Sequence, residues 1–155
     1  MVKDHAKFMA LAIEESRVGL RSGERPFGAV VVRGDEVVAR SHSVVDSTGD
    51  PTSHAEILAV RAAIGHLKNR SLQDCTLYAS CEPCPMCAGA IFASRIERLV
   101  VGVSSQTFAR LAGWPSRTYS VEELGRQMNV GLEVIRGVSE ADATQVLRAY
   151  NWPVA

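Results

Sequence analysis

The sequence predicts a layered α/β domain on a mixed five-stranded sheet. Three observations carry that reading. An apolar β-branched hairpin opens the chain's strand pattern, three further strand runs alternate with helical patterns, and 46% of the 155 residues are hydrophobic, enough for a single core. A hairpin pairs its strands antiparallel, whereas strands separated by helices pair parallel, so the sheet is expected to be mixed. One domain over residues 1–155 accounts for the whole length.

The elements follow in order. Phe8, Leu11 and Ala12 recur at helical spacing, and Glu14 and Glu15 end any resemblance to a signal-peptide core. Residues 28–32 and 36–40 are strands around Arg33-Gly34-Asp35, a turn signal. Asp50-Pro51-Thr52-Ser53 is a stop-and-cap signal from which a helix over 54–66 should begin. A strand at 75–79, a helix from Cys84 to about Ala93 with Pro85 at its first position, and a strand at 98–103 come next. The stretch after it, with Phe108 and Trp114, reads as a connecting loop. The tail reads as a helix over 121–128, a strand over 132–136 and a helix over 139–150, where Ser139-Glu140-Ala141-Asp142 resembles a capping box. No repeat or low-complexity segment appears.

Seventeen basic and seventeen acidic residues give zero formal net charge, and no Lys/Arg stripe is present. The electrostatic footprint of a nucleic-acid binder is missing, so a nucleic-acid partner is not expected. No apolar run approaches the roughly 20 residues of a membrane span. A cytoplasmic protein that does not contact membranes is expected. Cys75, Cys81, Cys84 and Cys87 lie close together in the chain, which favours metal binding over disulfides.

The chemistry concentrates in two strings, Ser53-His54-Ala55-Glu56 and Ser80-Cys81-Glu82-Pro83-Cys84-Pro85-Met86-Cys87. His54, Cys84 and Cys87 supply one imidazole and two thiolates, a donor set that suits one Zn2+ per chain and leaves its fourth position to water. An open position means catalysis, and Glu56 is the nearby base. Residues two apart on a helix face opposite sides, so His54 and Glu56 can share a ligand only over the helix end. Cys84 should likewise stand at a helix N-terminus, where the dipole favours a thiolate. Two metal alternatives remain. Cys81 could close a structural zinc site as fourth ligand, or Cys81, Cys84 and Cys87 could hold iron and sulfur, although position 91 is Ile where a fourth cysteine would stand. Glu56 on its own could be an ordinary first-turn acid.

Of the remaining candidates, Ser43 divides between substrate contact and plain loop residue. Phe108, Trp114, Tyr150 and Trp152 are suited either to a lid over a planar substrate or to core and dimer packing. Arg25, Arg110 and Arg117 read as solvated charges that an anionic substrate group would find useful. His5, His42 and His66 have no ligand spacing and read as surface or loop residues.

His-x-Glu paired with Pro-Cys-x-x-Cys is the signature of zinc nucleobase deaminases, here His54-Ala55-Glu56 and Pro83-Cys84-Pro85-Met86-Cys87. With Pro26-Phe27-Gly28-Ala29-Val30, Asp50-Pro51-Thr52, Leu77-Tyr78 and Ala88-Gly89-Ala90-Ile91, the chain resembles the cytidine-deaminase-like superfamily over roughly residues 5–103. The likeness is nearest to bacterial guanine deaminases and tRNA adenosine deaminases. The resemblance implies a three-layer α/β/α domain, a homodimer, and hydrolytic removal of an exocyclic amine as ammonia. Guanine is the favoured substrate among small nucleobases or nucleosides, with cytosine or the wobble adenosine of tRNA as alternatives. It also implies substrate contacts at Phe27, Ser43, Ala55, Trp114 and Tyr150. Two positions depart from the family pattern. Ser43 stands where an Asn usually contacts the base, and the stretch from Arg98 to Val121 has no Asp or Glu, with Thr107 near the place of an expected acid.

Overall fold

In the computed structural model, which describes residues 4–154, a five-stranded sheet has the order β2-β1-β3-β4-β5. Its strands are β1 (Gly28–Arg33), β2 (Glu36–His42), β3 (Cys75–Cys81), β4 (Arg98–Val103) and β5 (Glu133–Ile135). β1 runs antiparallel to both β2 and β3, while β3, β4 and β5 are parallel, so the sheet is mixed as the sequence predicts. β1, β3 and β4 are buried almost throughout because helices cover both faces.

On one face, α1 (His5–Arg21) and α7 (Glu140–Arg148) place Phe8, Met9, Ile13, Val146 and Leu147 against Val30, Tyr78 and Val100. On the other, α3 (Ala55–Leu67) and α4 (Pro85–Ala93) bring Ala59, Ala63, Ala88 and Ile91 against Val31, Leu77 and Leu99. The alternation of strand residues between the two cores is the period-2 pleat. α1 lies very close to the sheet at Gly28, where an added Cβ would come within 2.0 Å of the Ala12 carbonyl oxygen, so only glycine fits.

Three expectations change. Residues 105–112, read as a loop, form α5 (Ser105–Ala112), capped by the Ser104 hydroxyl accepting from Thr107 N and stopped by Gly113 at φ 70°. A short α2 (Val45–Thr48), not expected from the sequence, precedes the metal-binding string, whereas α6 (Val121–Gln127) stands where the helix over 121–128 was expected. Ser139 does not make the expected cap. It adopts φ 52°, with no side-chain bond to the helix, because a capping side chain needs extended backbone rather than a left-handed one.

Candidate active site

The metal-binding strings meet at two helix starts. His54 is not the first turn of α3 but its N-cap, with extended backbone at ψ 150°. The imidazole therefore leaves over the helix end, which resolves the two-residue offset from Glu56. Asp50 serves the turn before this cap: its carboxylate accepts from Thr52 N at 2.9 Å, from the Thr52 hydroxyl at 2.7 Å and from the Ser53 hydroxyl at 3.1 Å. Cys84 is the N-cap of α4, with Pro85 at the first helical position, and Cys87 returns to the same side one turn on.

His54 Nδ1 lies 3.6 Å from Cys84 Sγ and 3.5 Å from Cys87 Sγ, and the three donor atoms all fall within 4.8 Å of one another. Tetrahedral zinc with bonds of about 2.3 Å to sulfur and about 2.1 Å to nitrogen requires an N···S edge of about 3.6 Å, so the donor set fits in kind and in spacing. Without a cation the two thiols divide one proton. The Cys87 hydrogen bond holds the Cys84 thiol down to about 4, helped by His54, while the same bond and burial push Cys87 far up. A divalent ion deprotonates a coordinating thiol outright and removes that asymmetry. Cys81, the fourth ligand of the closed alternative, is buried nearby but lies outside this group; burial raises its thiol pKa well beyond the ordinary range.

Glu56 is buried in the first turn of α3, its Oε2 3.6 Å from Cys87 Sγ. Burial raises its carboxyl pKa to about 7. His54, Cys84 and Glu56 form one wall of a cavity of about 190 Å3. Phe27, Ser43 and Ala55, expected at the substrate, line it, as do Phe108 and Trp114. Ser43 is held in place by its own N–H, which donates to the Phe27 carbonyl at 3.1 Å, and the next amide, that of Val44, donates to the Ser53 carbonyl. No side chain caps α3, so the Ala55 N–H at its start has no capping partner. Glu24 fastens the same side of the cavity by accepting from Asp46 N and Ser47 N at the start of α2.

Tyr150 is not brought to this cavity. Its ring meets Trp152 at 4.6 Å in a tilted contact, and it lines a separate groove with Thr107, Arg110 and Arg148. Trp152 supports the cavity from behind, with its ring against Phe27 at 5.6 Å, Phe108 at 4.8 Å and Trp114 at 5.7 Å. Thr107 faces the groove as well, so that position puts no side chain on the cavity wall. Of the histidines, His42 contacts Glu15 at 3.2 Å and His5 contacts the Tyr78 hydroxyl at 3.0 Å, neither near the cluster.

The sequence reading passed over Glu82 and Tyr119. Both line the cavity, Tyr119 with its phenol raised to about 12 by burial. Glu82 stands between Cys81 and Pro83 inside the metal string, a position that could have singled it out, and it is buried; Tyr119 had no local signal. Arg25 and Arg117, read as solvated, line the cavity too.

Residues 2–103 match the profile of the cytidine and deoxycytidylate deaminase zinc-binding region. A tRNA-specific adenosine deaminase of Streptococcus pyogenes serotype M18 is 31% identical over 149 residues, covering 96% of this chain and 91% of its own. The guanine deaminase of Bacillus subtilis is 40% identical over 112 residues, 72% of this chain and 71% of its own. A solved guanine deaminase from Nitrosomonas europaea superposes with a TM-score of 0.82 at 26% identity, over 97% of this chain and 86% of that one. With the His54, Cys84 and Cys87 donors gathered as such a region requires, the chain belongs to the cytidine and deoxycytidylate deaminase family of zinc-binding hydrolytic deaminases.

Proposed function

We propose that this protein deaminates a free amino-substituted nucleobase, guanine first, with release of ammonia. The size and lining of the cavity carry the reading. At about 190 Å3 it is smaller than the roughly 300 Å3 at which pockets for drug-sized ligands begin, which suits one flat ring system. Phe27, Phe108 and Trp114 provide aromatic walls, and the Ser43 hydroxyl and Ala55 N–H are polar groups able to fix the ring's rotation.

Zinc, when held by His54, Cys84 and Cys87, supplies an acidified water at its open position. Glu56 takes one proton from water and gives it to a ring nitrogen next to the amine-bearing carbon, then takes the second from the added hydroxyl and gives it to the departing amine. Water's oxygen ends on the ring as an oxo group, and the amine leaves as ammonia. The buried position of Glu56, within reach of the Cys87 sulfur, supports this shuttle.

The likeness to a tRNA-specific adenosine deaminase over most of the chain supports a second reading, wobble adenosine in tRNA. Ammonia release from guanine, cytosine, adenosine and a tRNA anticodon stem, at low and high salt, separates the two. The expected result is a kcat/KM on a free base well above that on RNA, with little salt dependence, and a shift of base preference in Ser43→Asn. Salt-sensitive deamination of the tRNA stem with none of the free bases overturns the first reading in favour of the second. A homodimer belongs to the same proposal, and a solution mass of one 16.7 kDa chain overturns it.

A further inference from the structure

Arg117 is a cation on the cavity wall that no carboxylate neutralises among the described residues. The other arginine there, Arg25, has Asp46 at 3.5 Å. The cavity's buried acid Glu82 is already engaged by Arg136 and by two backbone amides. Arg117 instead rests on rings, its guanidinium carbon 5.7 Å from the Phe108 centroid and 5.6 Å from that of Trp114. Such contacts, with a hydrogen bond to the Tyr119 side chain, hold the planar group in one orientation but leave its N–H edge without an anionic acceptor. A half-buried guanidinium beside aromatic walls is costly to desolvate unless the ligand brings acceptors to that edge.

Resting on the free-base reading, we propose that Arg117 is a specificity residue that reads an adjacent oxo group and ring nitrogen on the substrate. The substrate class is then a 2-amino-6-oxopurine or a ring with the same acceptor pair. The guanidinium fork matches O6 and N7 of guanine bidentately, a pairing also used in reading DNA. Guanine's amine-bearing carbon lies across the ring from that edge, so the base can offer O6 and N7 to Arg117 while turning its amine to Glu56. Adenine cannot do both. Its only amine sits beside N7, and that edge presents a donor where guanine presents an acceptor.

The test compares guanine with 2-aminopurine, which carries the same amine but no O6, in the zinc-loaded wild type, Arg117→Gln and Arg117→Lys. Intrinsic reactivity differs between the bases but cancels when the guanine to 2-aminopurine ratio is compared across proteins. Loss of one bidentate pair should lower that ratio about 5- to 150-fold in Arg117→Gln, chiefly through a raised KM for guanine, with zinc content unchanged. Arg117→Lys, which keeps the charge without the fork, should recover only part of it and serves as the test if Arg117→Gln does not fold. An unchanged ratio in a folded, zinc-loaded variant that still deaminates guanine overturns the role of Arg117 alone. No turnover of either purine by the wild type overturns guanine as the substrate of the free-base reading, and this role with it.

Discussion

The Glu82 carboxylate accepts from the Arg136 guanidinium at 2.6 Å and, on the same side chain, from the amides of Ser105 at 2.8 Å and Val121 at 3.2 Å. Those amides open α5 and α6. A single buried acid thus fixes both ends of the stretch 105–121, which carries Phe108, Trp114, Arg117 and Tyr119 to the cavity.

Glu82→Gln should therefore lose stability in a pH-dependent way. Burial pushes the Glu82 carboxyl up, but the bonds from Arg136, Ser105 and Val121 outweigh it and hold the pKa below the ordinary value. A depressed folded pKa means that the stabilisation is complete above the unfolded value of about 4.3 and is lost as pH falls through the folded one. At neutral pH the variant should be less stable by about 1–3 kcal/mol, with the gap closing on acidification below about pH 4. Urea unfolding of both proteins across that range is the check. A gap that stays constant with pH would show that the charge is not what matters.

Zinc content should separate the cysteines. Cys84→Ala and Cys87→Ala should lose the metal, since each removes a donor from the His54 group, whereas Cys75→Ala and Cys81→Ala should keep it. Metal analysis of the purified variants decides. Zinc loss in Cys81→Ala would restore the closed structural site.

Glu56→Gln and Glu56→Ala should fold and bind zinc yet turn over at least ~10^2- to 10^4-fold more slowly, the usual worth of a positioned acid-base group. Single-substrate kinetics with a parallel zinc assay measure both. A variant retaining more than about a tenth of wild-type activity would remove Glu56 from the proton transfers.

Trp152→Ala should cost both stability and substrate affinity. Trp152 donates its indole N–H to the Leu147 carbonyl at 2.9 Å and backs three rings of the cavity wall. Because the residue is only half-buried, the expected loss is about 2–3 kcal/mol, below the range for a fully buried tryptophan. KM should rise more than kcat falls, since Trp152 does not itself line the cavity. Thermal unfolding and steady-state kinetics test the two halves, and an unchanged KM would show that the wall holds without it.

The strand pattern and the metal cluster were legible because both are local. β-branched runs declare β1, β2 and β4 without reference to their neighbours. His54 with Glu56, and Cys84 with Cys87, are fixed offsets at helix starts, so spacing within a few residues dictates which atoms converge. The helix α5 was not legible. Eight residues make a marginal helix alone, and the Glu82 carboxylate bonded at its N-terminus comes from another strand's end.

The cavity wall depended on tertiary structure for the same reason. Aromatic side chains carry no offset rule, so the sequence could not tell that Trp114 would line the cavity beside His54 and Glu56 while Tyr150 turned to a different groove. Trp152 decides this by filling the space among Phe27, Phe108 and Trp114, contacts made between residues distant in the chain. The sequence by itself determined the chemistry, because ligand spacing is local. Only the tertiary structure decided what the chemistry faces, because close packing of rings from β1, α5 and the C-terminal segment is a property of the assembled layers.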